Sequence, residues 1–189
     1  MNIRWRYFIP ESSANGPGKR CVIWFQGCSI GCEGCCNPDL QDPKGGRSDP
    51  VETVFEKIRL VAKNVDGITI SGGEPFQQPE ALCELVRMIK AETTLSVLVF
   101  SGYQKEKILS DPKRNRCLPW IDAILYGPYI QSDPPALERF CASGNQGLWL
   151  LSDRFQAEDF SDLPVLEFLI GEKGELIQSG LYGINFIEK

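Results

Sequence analysis

The chain has 189 residues, of which 42% are hydrophobic, and its formal net charge is −5. That length suits one globular domain with its own core, and the negative charge argues against nucleic acid or an anionic membrane as the main partner. No apolar run approaches the ~20 residues needed to span a bilayer. The N-terminal stretch is too short and too aromatic for a signal peptide, so we expect a cytoplasmic protein.

Short apolar runs rich in β-branched and aromatic residues predict strands, and these runs alternate with stretches of helical periodicity. The predicted strands span residues 21–26, 67–71, 95–100, 121–125 and 147–151. Predicted helices begin near Pro50, at about Pro79 and at Gln104. This alternation favours parallel βα units, so the carboxyl ends of successive strands should meet at one mouth. The expected fold class is therefore α/β.

Two further local signals concern a helix start and the C-terminal tail. Asp49 is positioned to cap the first helix, with Pro50 at the first helical position and Glu52 completing a capping-box spacing. In the tail, two apolar runs at residues 165–170 and 175–178 flank a short glycine-containing turn. This pattern predicts a β-hairpin.

The loop after the first predicted strand contains Cys28, Cys32 and Cys35 in the spacing Cys-x3-Cys-x2-Cys, so that one loop can close around one cluster. The chain has eight cysteines and no histidine. The lack of histidine excludes Ser-His and Cys-His nucleophiles, His-containing zinc hydrolase sites and His-ligated haem. Three thiolates would leave one iron of a [4Fe–4S] cluster open to an external ligand. The alternatives are a structural zinc site completed by Cys36 or Cys21, and an electron-transfer cluster with a fourth cysteine.

The three cysteines, followed by Gly-Gly-Glu-Pro at residues 72–75 after a predicted strand, resemble the motifs of the radical S-adenosylmethionine (SAM) superfamily. The resemblance is closer still to its small members, the activases of anaerobic ribonucleotide reductase and related glycyl radical enzymes. Gly34, directly before the last of the three cysteines, fits that branch. Supporting matches are Asn-Gly-Pro-Gly at 15–18, Asn-Pro at 37–38, Phe-Ser-Gly-Tyr at 100–103, Gly-Pro-Tyr at 127–129 and Asn-Gln at 145–146.

The resemblance implies the cofactors and their chemistry. Cys28, Cys32 and Cys35 would hold one [4Fe–4S] cluster, and the amino and carboxylate groups of SAM would chelate its open iron. One electron delivered through the cluster, from a donor such as flavodoxin or ferredoxin, would cleave SAM to methionine and a 5′-deoxyadenosyl radical. That radical would abstract hydrogen from the substrate. The cofactors carry this chemistry, and the protein positions them and excludes water and oxygen.

The resemblance also implies contacts to SAM for the other motifs. The Gly-Gly-Glu-Pro loop would line the amino group of methionine, largely through the backbone of Gly72, Gly73 and Glu74. Ser101 would contact the ribose or the methionine part of SAM. Backbone near Gly34 and Cys36 would meet the adenine.

The fold that the resemblance implies is an incomplete parallel (β/α) barrel, because 189 residues are too few for eight βα units at the usual ~250 residues. We expect one radical SAM domain over residues 1–189, with a core at about 15–155 and a C-terminal hairpin extension at 160–189. An open barrel suits a macromolecular substrate. The leading hypothesis is therefore an activase that abstracts hydrogen from a glycine of a partner enzyme such as anaerobic ribonucleotide reductase.

Two other hypotheses stay open. Residues 141–146 (Cys-Ala-Ser-Gly-Asn-Gln) stand where the activase branch usually has an Arg-Gly-Ser-x-Asn-Gln type of run. This departure and the added hairpin leave room for a radical SAM enzyme that modifies a small molecule or peptide in a biosynthetic pathway. The third hypothesis is a non-catalytic iron–sulfur or zinc module.

Outside the motifs, two features have both a structural and a functional interpretation. Cys83 falls within a predicted helix and is expected to be a small buried hydrophobe. Lys113, Arg114 and Arg116 form a small basic cluster. Such a cluster is most often a solvated loop, and its functional interpretation is a docking site for an acidic partner or an electron donor.

Overall fold

The computed structural model describes residues 1–171 and 174–187. Within them the chain forms ten β-strands and four α-helices. The strands are β1 (Asn2–Ser12), β2 (Arg20–Phe25), β3 (Arg47–Pro50), β4 (Gly67–Gly72), β5 (Ser96–Ser101), β6 (Ala123–Tyr126), β7 (Gly147–Leu150), β8 (Leu166–Ile170), β9 (Leu176–Gly180) and β10 (Gly183–Ile187). The helices are α1 (Val51–Val61), α2 (Pro79–Glu92), α3 (Lys105–Leu109) and α4 (Pro112–Asn115). The protein is therefore a mixed α/β molecule, as predicted.

A central sheet of seven strands, in the order β3-β1-β2-β4-β5-β6-β7, organises the described part of the chain. Its four middle strands, β2, β4, β5 and β6, are parallel, which confirms the βα alternation. The sequence also predicts a parallel strand at residues 147–151, and this direction is wrong, because β7 runs antiparallel to β6. The chain between β6 and β7 forms turns and one short 3-10 helix rather than a crossover α-helix, so β7 returns alongside β6 in the opposite direction.

The N-terminal strand β1 was not predicted. It pairs antiparallel with β2 on one side and with β3 on the other. Ile3 and Trp5 are buried, whereas Arg4 and Arg6, which alternate with them along the strand, are only half-buried. This alternation of apolar and charged residues is typical of a strand with one face on the core.

The predicted cap of the first helix is wrong. Pro50 occupies the N-cap position of α1, and no side chain caps the helix there. Asp49 belongs to β3, where it pairs with Ile3, and its Oδ2 accepts a hydrogen bond from the Trp5 indole at 2.8 Å. Pairing with β1 keeps residues 47–50 extended, and this tertiary contact overrides the local capping signal.

The two faces of the central sheet are covered differently. Helices α1 and α2 lie on one face, and α2 buries the residues that its periodicity predicted, namely Leu82, Leu85, Val86 and Ile89. On the other face, Phe140, Phe155, Phe160 and Leu181 pack against Leu98 and Leu125. Among the described residues, no helix is long and apolar enough to cross a membrane.

The C-terminal segment forms a separate antiparallel sheet in the order β10-β9-β8. Strands β8 and β9 pair as the predicted hairpin, from Leu166 opposite Gly180 to Ile170 opposite Leu176. Residues 172 and 173 of the predicted turn lie outside the described residues. Strand β10 pairs with β9 and was not predicted, so the extension is a three-stranded sheet rather than a hairpin alone.

Candidate functional site

Three loops that follow parallel strands line one cavity at the carboxyl edge of the central sheet. The cavity encloses about 880 Å³, counting the open solvent at its mouth. From the cysteine loop after β2 it is lined by Cys28, Cys32, Cys35 and Cys36, and from the loops after β4 and β5 by Gly72, Gly73, Ser101 and Gly102. The predicted convergence of these loops is confirmed.

The cysteine loop is fixed by backbone hydrogen bonds to the segment that follows it. The Gly27 N–H donates to the Leu40 carbonyl at 2.8 Å, and the Cys28 N–H donates to the Gln41 carbonyl at 3.0 Å. Gly34 has φ = +68°, a conformation that side-chain-bearing residues rarely adopt. The Gln131 side chain covers the position that a Cβ on Gly34 would take. The loop is therefore a defined turn in which all three motif cysteines reach the cavity.

The motif cysteines are neither fully buried nor fully exposed. Burial raises the pKa of the Cys28 thiol, while backbone N–H groups of Ile30 and Gly31 act in the opposite direction. Burial likewise raises the pKa of Cys32, and the Tyr129 N–H lowers it. N–H groups aimed at sulfur stabilise a thiolate, which is the form that binds metal.

The donor set of this loop fits an iron–sulfur cluster. Among the residues of 1–171 and 174–187, no three Cys, Asp or Glu side chains converge closely enough to hold a single metal ion. A [4Fe–4S] cluster does not require that convergence, because its irons occupy separate corners and each thiolate binds a different iron. Three thiols on one wall of a cavity, with N–H groups directed at two of them, suit such a cluster.

Cys36 also lines the cavity, although it falls outside the motif spacing. Burial raises the pKa of its thiol to about 11. The neighbouring Asn37 amide lies 3.7 Å from the Cys36 sulfur. Cys36 is thus a wall residue whose thiol is held in its neutral form by the surrounding protein.

Gly72 and Gly73 let the loop after β4 lie directly against the cysteine loop. A Cβ on Gly73 would stand 2.8 Å from the carbonyl carbon of Gly27, a separation that real Cβ atoms essentially never show. Gly72 has φ = +111°, and a Cβ there would collide with the backbone of Phe25. The Glu74 N–H donates to the Gly27 carbonyl at 2.9 Å, which holds the two loops together. At this distance between the loops, only glycine fits at positions 72 and 73.

Glu74 is not part of the cavity wall. Its side chain is fully buried. Its Oε1 accepts hydrogen bonds from Ser101 Oγ at 2.9 Å and the Phe76 N–H at 3.0 Å, and its Oε2 accepts one from the Gly102 N–H at 2.7 Å. Burial raises the pKa of Glu74 to about 7, although these hydrogen bonds and Arg114 act in the opposite direction. The carboxylate therefore ties the loop after β4 to the loop after β5.

Ser101 lines the cavity and is also part of this tie. Its hydroxyl donates to Glu74 and accepts a hydrogen bond from the Tyr103 N–H at 3.1 Å. The side chain is 5% exposed. Because the hydroxyl both donates and accepts a hydrogen bond within the protein, it holds the loop after β5 in place.

The segment before β7 supplies a wall that the motifs alone did not predict. Phe140, Cys141, Ala142 and Gln146 line the cavity. Asn145 donates to the Pro128 carbonyl at 2.8 Å, and Gln146 donates to the Gly127 carbonyl at 3.0 Å, so this segment is fastened to the loop after β6. The Gly-Pro-Tyr and Asn-Gln motifs were both recognised in the sequence, but the contact between them was not predicted. Cys83, by contrast, is buried in the helix-side core as expected.

The C-terminal sheet forms the remaining side of the cavity through Gly180, Leu181 and Gly183. Asn37, two residues after Cys35, accepts a hydrogen bond from the Ile184 N–H at 3.0 Å. Asn15 donates to Ser179 Oγ at 2.8 Å. The extension therefore packs against both the cysteine loop and the Asn-Gly-Pro-Gly loop, and no local sequence signal could have predicted these long-range contacts.

Comparisons with known proteins agree with this geometry. A family model described as a 4Fe-4S single cluster domain matches residues 14–149. The anaerobic ribonucleoside-triphosphate reductase-activating protein of Enterobacteria phage T4 is 32% identical over 148 residues, which cover 76% of this chain and 92% of that protein. The protein of the same name from Haemophilus influenzae is 29% identical over 147 residues, covering 74% of this chain and 92% of that protein. The pyruvate formate-lyase-activating enzyme of Clostridium pasteurianum is 34% identical over 93 residues, which cover 47% of this chain and 39% of that enzyme.

Proposed function

The chain belongs to the 4Fe-4S single cluster domain family and to the activase branch of the radical SAM enzymes, and on this premise we propose that it activates a glycyl radical enzyme. The partner in the proposal is anaerobic ribonucleotide reductase, because the relatives that match most of their own length carry that activity in their names. The reaction is hydrogen abstraction from a glycine of the partner. A flavodoxin or ferredoxin supplies the electron.

In this proposal Cys28, Cys32 and Cys35 each bind one iron of a single [4Fe–4S] cluster. The fourth iron is left for the amino and carboxylate groups of SAM, because the cysteine loop contributes three thiols in motif register. When bound, the cluster and SAM supply reductive cleavage of a carbon–sulfur bond and a radical that abstracts hydrogen. The half-buried setting of the three thiols supports this assignment.

The remaining residues of the cavity bind and orient SAM in this proposal. The backbone of Gly72 and Gly73 meets the methionine part, since neither residue has a side chain between the backbone and the cavity. Gly34 and Cys36 lie on the side assigned to adenine, and Ser101 lies near the ribose. Glu74 acts as a positioning residue through Ser101 and Gly102 rather than through direct contact.

The protein also has to exclude water from this reaction. The cavity wall includes Ile30, Leu125, Phe140 and Leu181, which come from four different parts of the chain. The polar groups on the rest of the wall, among them the thiols, the backbone of Gly72 and Gly73, Ser101 and Gln146, then face the cofactors. Such a site protects a reactive radical from quenching while it binds the polar end of SAM.

We also propose that the architecture is an incomplete barrel. Four parallel strands with helices on one face and loops at their carboxyl ends are the features of a (β/α) barrel that stays open on one side. Residues 1–189 would act as one radical SAM domain, to which the C-terminal sheet adds a wall. In this proposal, the open side of the barrel is the route by which a loop of the partner enzyme reaches the radical.

The observation that carries the proposal is the single cavity shared by the three motif cysteines and the two glycines after β4. Its test is anaerobic reconstitution with iron and sulfide, followed by dithionite and SAM. We expect methionine and 5′-deoxyadenosine in equal amounts, with one cluster per chain by iron analysis. An iron-replete sample that leaves SAM intact would contradict the proposal.

A further inference from the structure

A cluster of positive charge lies beside the cysteine loop of this acidic protein. Residues 104–116, which include α3 and α4, contain five Lys or Arg side chains and two carboxylates, so their net charge is +3. The whole chain has a net charge of −5. We call this segment the basic surface, and its cationic side chains are Lys105, Lys107, Lys113, Arg114 and Arg116.

Part of this charge is available to a partner. Lys107, Lys113 and Arg116 are exposed. Arg114 pairs with Asp111 at 3.1 Å, and Lys113 pairs with Glu80 at 3.2 Å. In the described ranges, no carboxylate forms an ion pair with Lys107 or Arg116.

The basic surface borders a groove that reaches the cysteine loop. The groove is lined by Ser29 and Ile30 of the cysteine loop, by Gly102 and Tyr103 after β5, and by Gln77, Gln104, Lys107 and Pro128. Ile30 and Gly102 also line the cluster cavity, so the two spaces share a wall. A Cβ on Gly102 would stand 2.6 Å from the Ile30 Cδ1, which shows how closely this wall is packed. A redox group held in the groove would be separated from the cluster site by this wall alone.

A chain of side-chain contacts holds the basic surface and the cysteine loop in a fixed relation. Ser29 donates its N–H to Gln77 Oε1 at 3.1 Å, and the Gln77 amide donates to Ser29 Oγ at 2.9 Å and to the Tyr103 hydroxyl at 3.2 Å. The Arg114 guanidinium lies over the Tyr103 ring, 4.2 Å from its centroid. Docking at α3 and α4 would therefore orient a partner relative to the cluster.

We infer that the basic surface docks an acidic one-electron carrier protein, which delivers its electron across the wall formed by Ile30 and Gly102. This inference rests on the proposed function. In the step, the reduced carrier loses one electron and the [4Fe–4S] cluster gains it, with no bond formed or broken. Transient redox encounters use small interfaces and gain their speed from complementary charge rather than from apolar area. A cationic patch beside the cluster on an otherwise acidic chain has that character.

The test reverses charge on the exposed part of the surface in the reconstituted holoenzyme. The double variant Lys107→Glu/Arg116→Glu is compared with Lys57→Glu/Lys63→Glu, which makes the same change in charge at exposed positions on and just after α1. Reduced flavodoxin, an acidic flavoprotein, is the probe. The readouts are the rate of cluster reduction by absorbance, the dissociation constant by calorimetry, and the rate of SAM cleavage with flavodoxin and with dithionite.

We expect the reversal at Lys107 and Arg116 to slow flavodoxin-driven reduction and weaken binding by about 10- to 100-fold at low ionic strength. The loss should shrink as salt is added, because screening weakens interactions between exposed charges. The α1 variant should behave like the unaltered protein. The milder Lys107→Gln/Arg116→Gln variant should lie between the two, and dithionite should drive SAM cleavage equally in all of them.

Three results of the flavodoxin and dithionite assays would overturn the inference. They are an unchanged flavodoxin affinity and rate in the reversed variant, an equal loss in the α1 variant, and an equal loss of dithionite-driven cleavage. A reversed variant that loses affinity for the glycyl radical enzyme but not for flavodoxin would assign the surface to the substrate protein and would also overturn it. If the unaltered protein fails to cleave SAM with dithionite, the proposed function fails, while the binding titration still decides the docking surface.

Discussion

The two ends of the parallel strands hold their buried carboxylates in different ways. At the amino end, the buried Arg20 guanidinium donates to Thr69 Oγ1 at 2.7 Å and to the Ile68 carbonyl at 2.6 Å. Asp122 at the same end accepts hydrogen bonds from Lys90 at 2.6 Å and from the Val97 N–H at 2.7 Å. At the carboxyl end, Glu74 is buried with neutral donors only. At the amino end the buried carboxylate has an ammonium partner, whereas at the carboxyl end the buried carboxylate has no directly bonded cation and lies beside the half-buried thiols.

The pKa values of the two carboxylates express this difference. Burial acts to raise the pKa of Asp122, but hydrogen bonds from Lys90, Ser152 and Val97 outweigh it, and the pKa falls below its usual 3.8. Burial raises the pKa of Glu74 to about 7. Perturbed groups of the second kind cluster at functional sites, since a site built for cofactors sacrifices local stability. We therefore expect substitutions at the amino end to change mainly stability, and substitutions at the carboxyl end to change the proposed chemistry.

The largest effect is expected from removing a motif thiol at the carboxyl end. Cys28→Ala, Cys32→Ala or Cys35→Ala should each reduce SAM cleavage to background, because a cluster with a missing ligand is lost or misoriented. The measurement is 5′-deoxyadenosine formation together with iron content. Cys83→Ala, in the helix-side core, is the matched control and should retain both. Full activity in any of the three motif variants would refute the ligand assignment.

The next largest effect is expected where the two loops of the carboxyl end touch. Gly73→Ala introduces a methyl group against the Gly27 carbonyl and should force the loop after β4 away from the cysteine loop. Overpacking of this kind costs about 1–3 kcal/mol of unfolding free energy. We expect a weakened affinity for SAM as well, measured by calorimetry on the reconstituted protein. An unchanged SAM affinity would show that the close approach of these loops is not needed for binding.

At the amino end, a substitution should affect stability without affecting the site. Asp122→Asn leaves the Lys90 ammonium without its carboxylate, and breaking such a pair costs about 2–3 kcal/mol when one partner is a quarter exposed. The unfolding free energy from chemical denaturation measures this loss. SAM affinity in the folded variant should match that of the unaltered protein, and a parallel loss of affinity would contradict the division between the two ends.

The most gradual effect is expected in the pH dependence of stability, because it is spread over more than two pH units. Because the folded-state pKa of Glu74 is about 7, above the usual 4.5, the folded protein binds this proton more tightly than the unfolded chain does. Stability should therefore fall as pH rises from 4.5 to about 7, by a contribution on the order of 2 kcal/mol. Glu74→Gln should remove that slope, and denaturation curves across this range test it.

Asp122 provides the opposite sign as an internal comparison. Its folded-state pKa is lowered, so its contribution to stability is present above the usual 3.8 and is lost as pH falls through the folded value. The Asp122→Asn variant should therefore differ from the unaltered protein most at neutral pH and least in acid. A Glu74→Gln profile that keeps the original slope would mean that Glu74 does not carry the expected proton.

The parts of the molecule that were predicted correctly are those with local signals. The periodicity of α2 identified its buried residues, and the apolar runs identified the parallel strands to within a few residues. The cysteine motif and the Gly-Gly-Glu-Pro motif are each a short continuous stretch of sequence. Each directly follows a parallel strand, and the order of the strands brings both to one cavity. The cap at Asp49 was wrong because pairing with β1 overrode the local preference.

The parts that were missed depend on contacts between distant segments. The wall formed by Phe140 and Leu181 joins the loop before β7 to the C-terminal sheet, and neither residue stands in a recognisable motif. Strand β10 has only a short alternation of apolar residues, and its pairing with β9 makes it a strand. The burial of Glu74 among neutral donors follows from the meeting of two loops, which the sequence of either loop does not encode.

The central claim is that the radical formed in this cavity reaches a glycine of a partner protein. Its most direct test is electron paramagnetic resonance of the reduced, SAM-treated holoenzyme after mixing with anaerobic ribonucleotide reductase. We predict a glycyl radical doublet that requires SAM and is missing with the Cys35→Ala variant. Formation of methionine and 5′-deoxyadenosine without any doublet, in a mixture where a known activase produces one, would contradict the account.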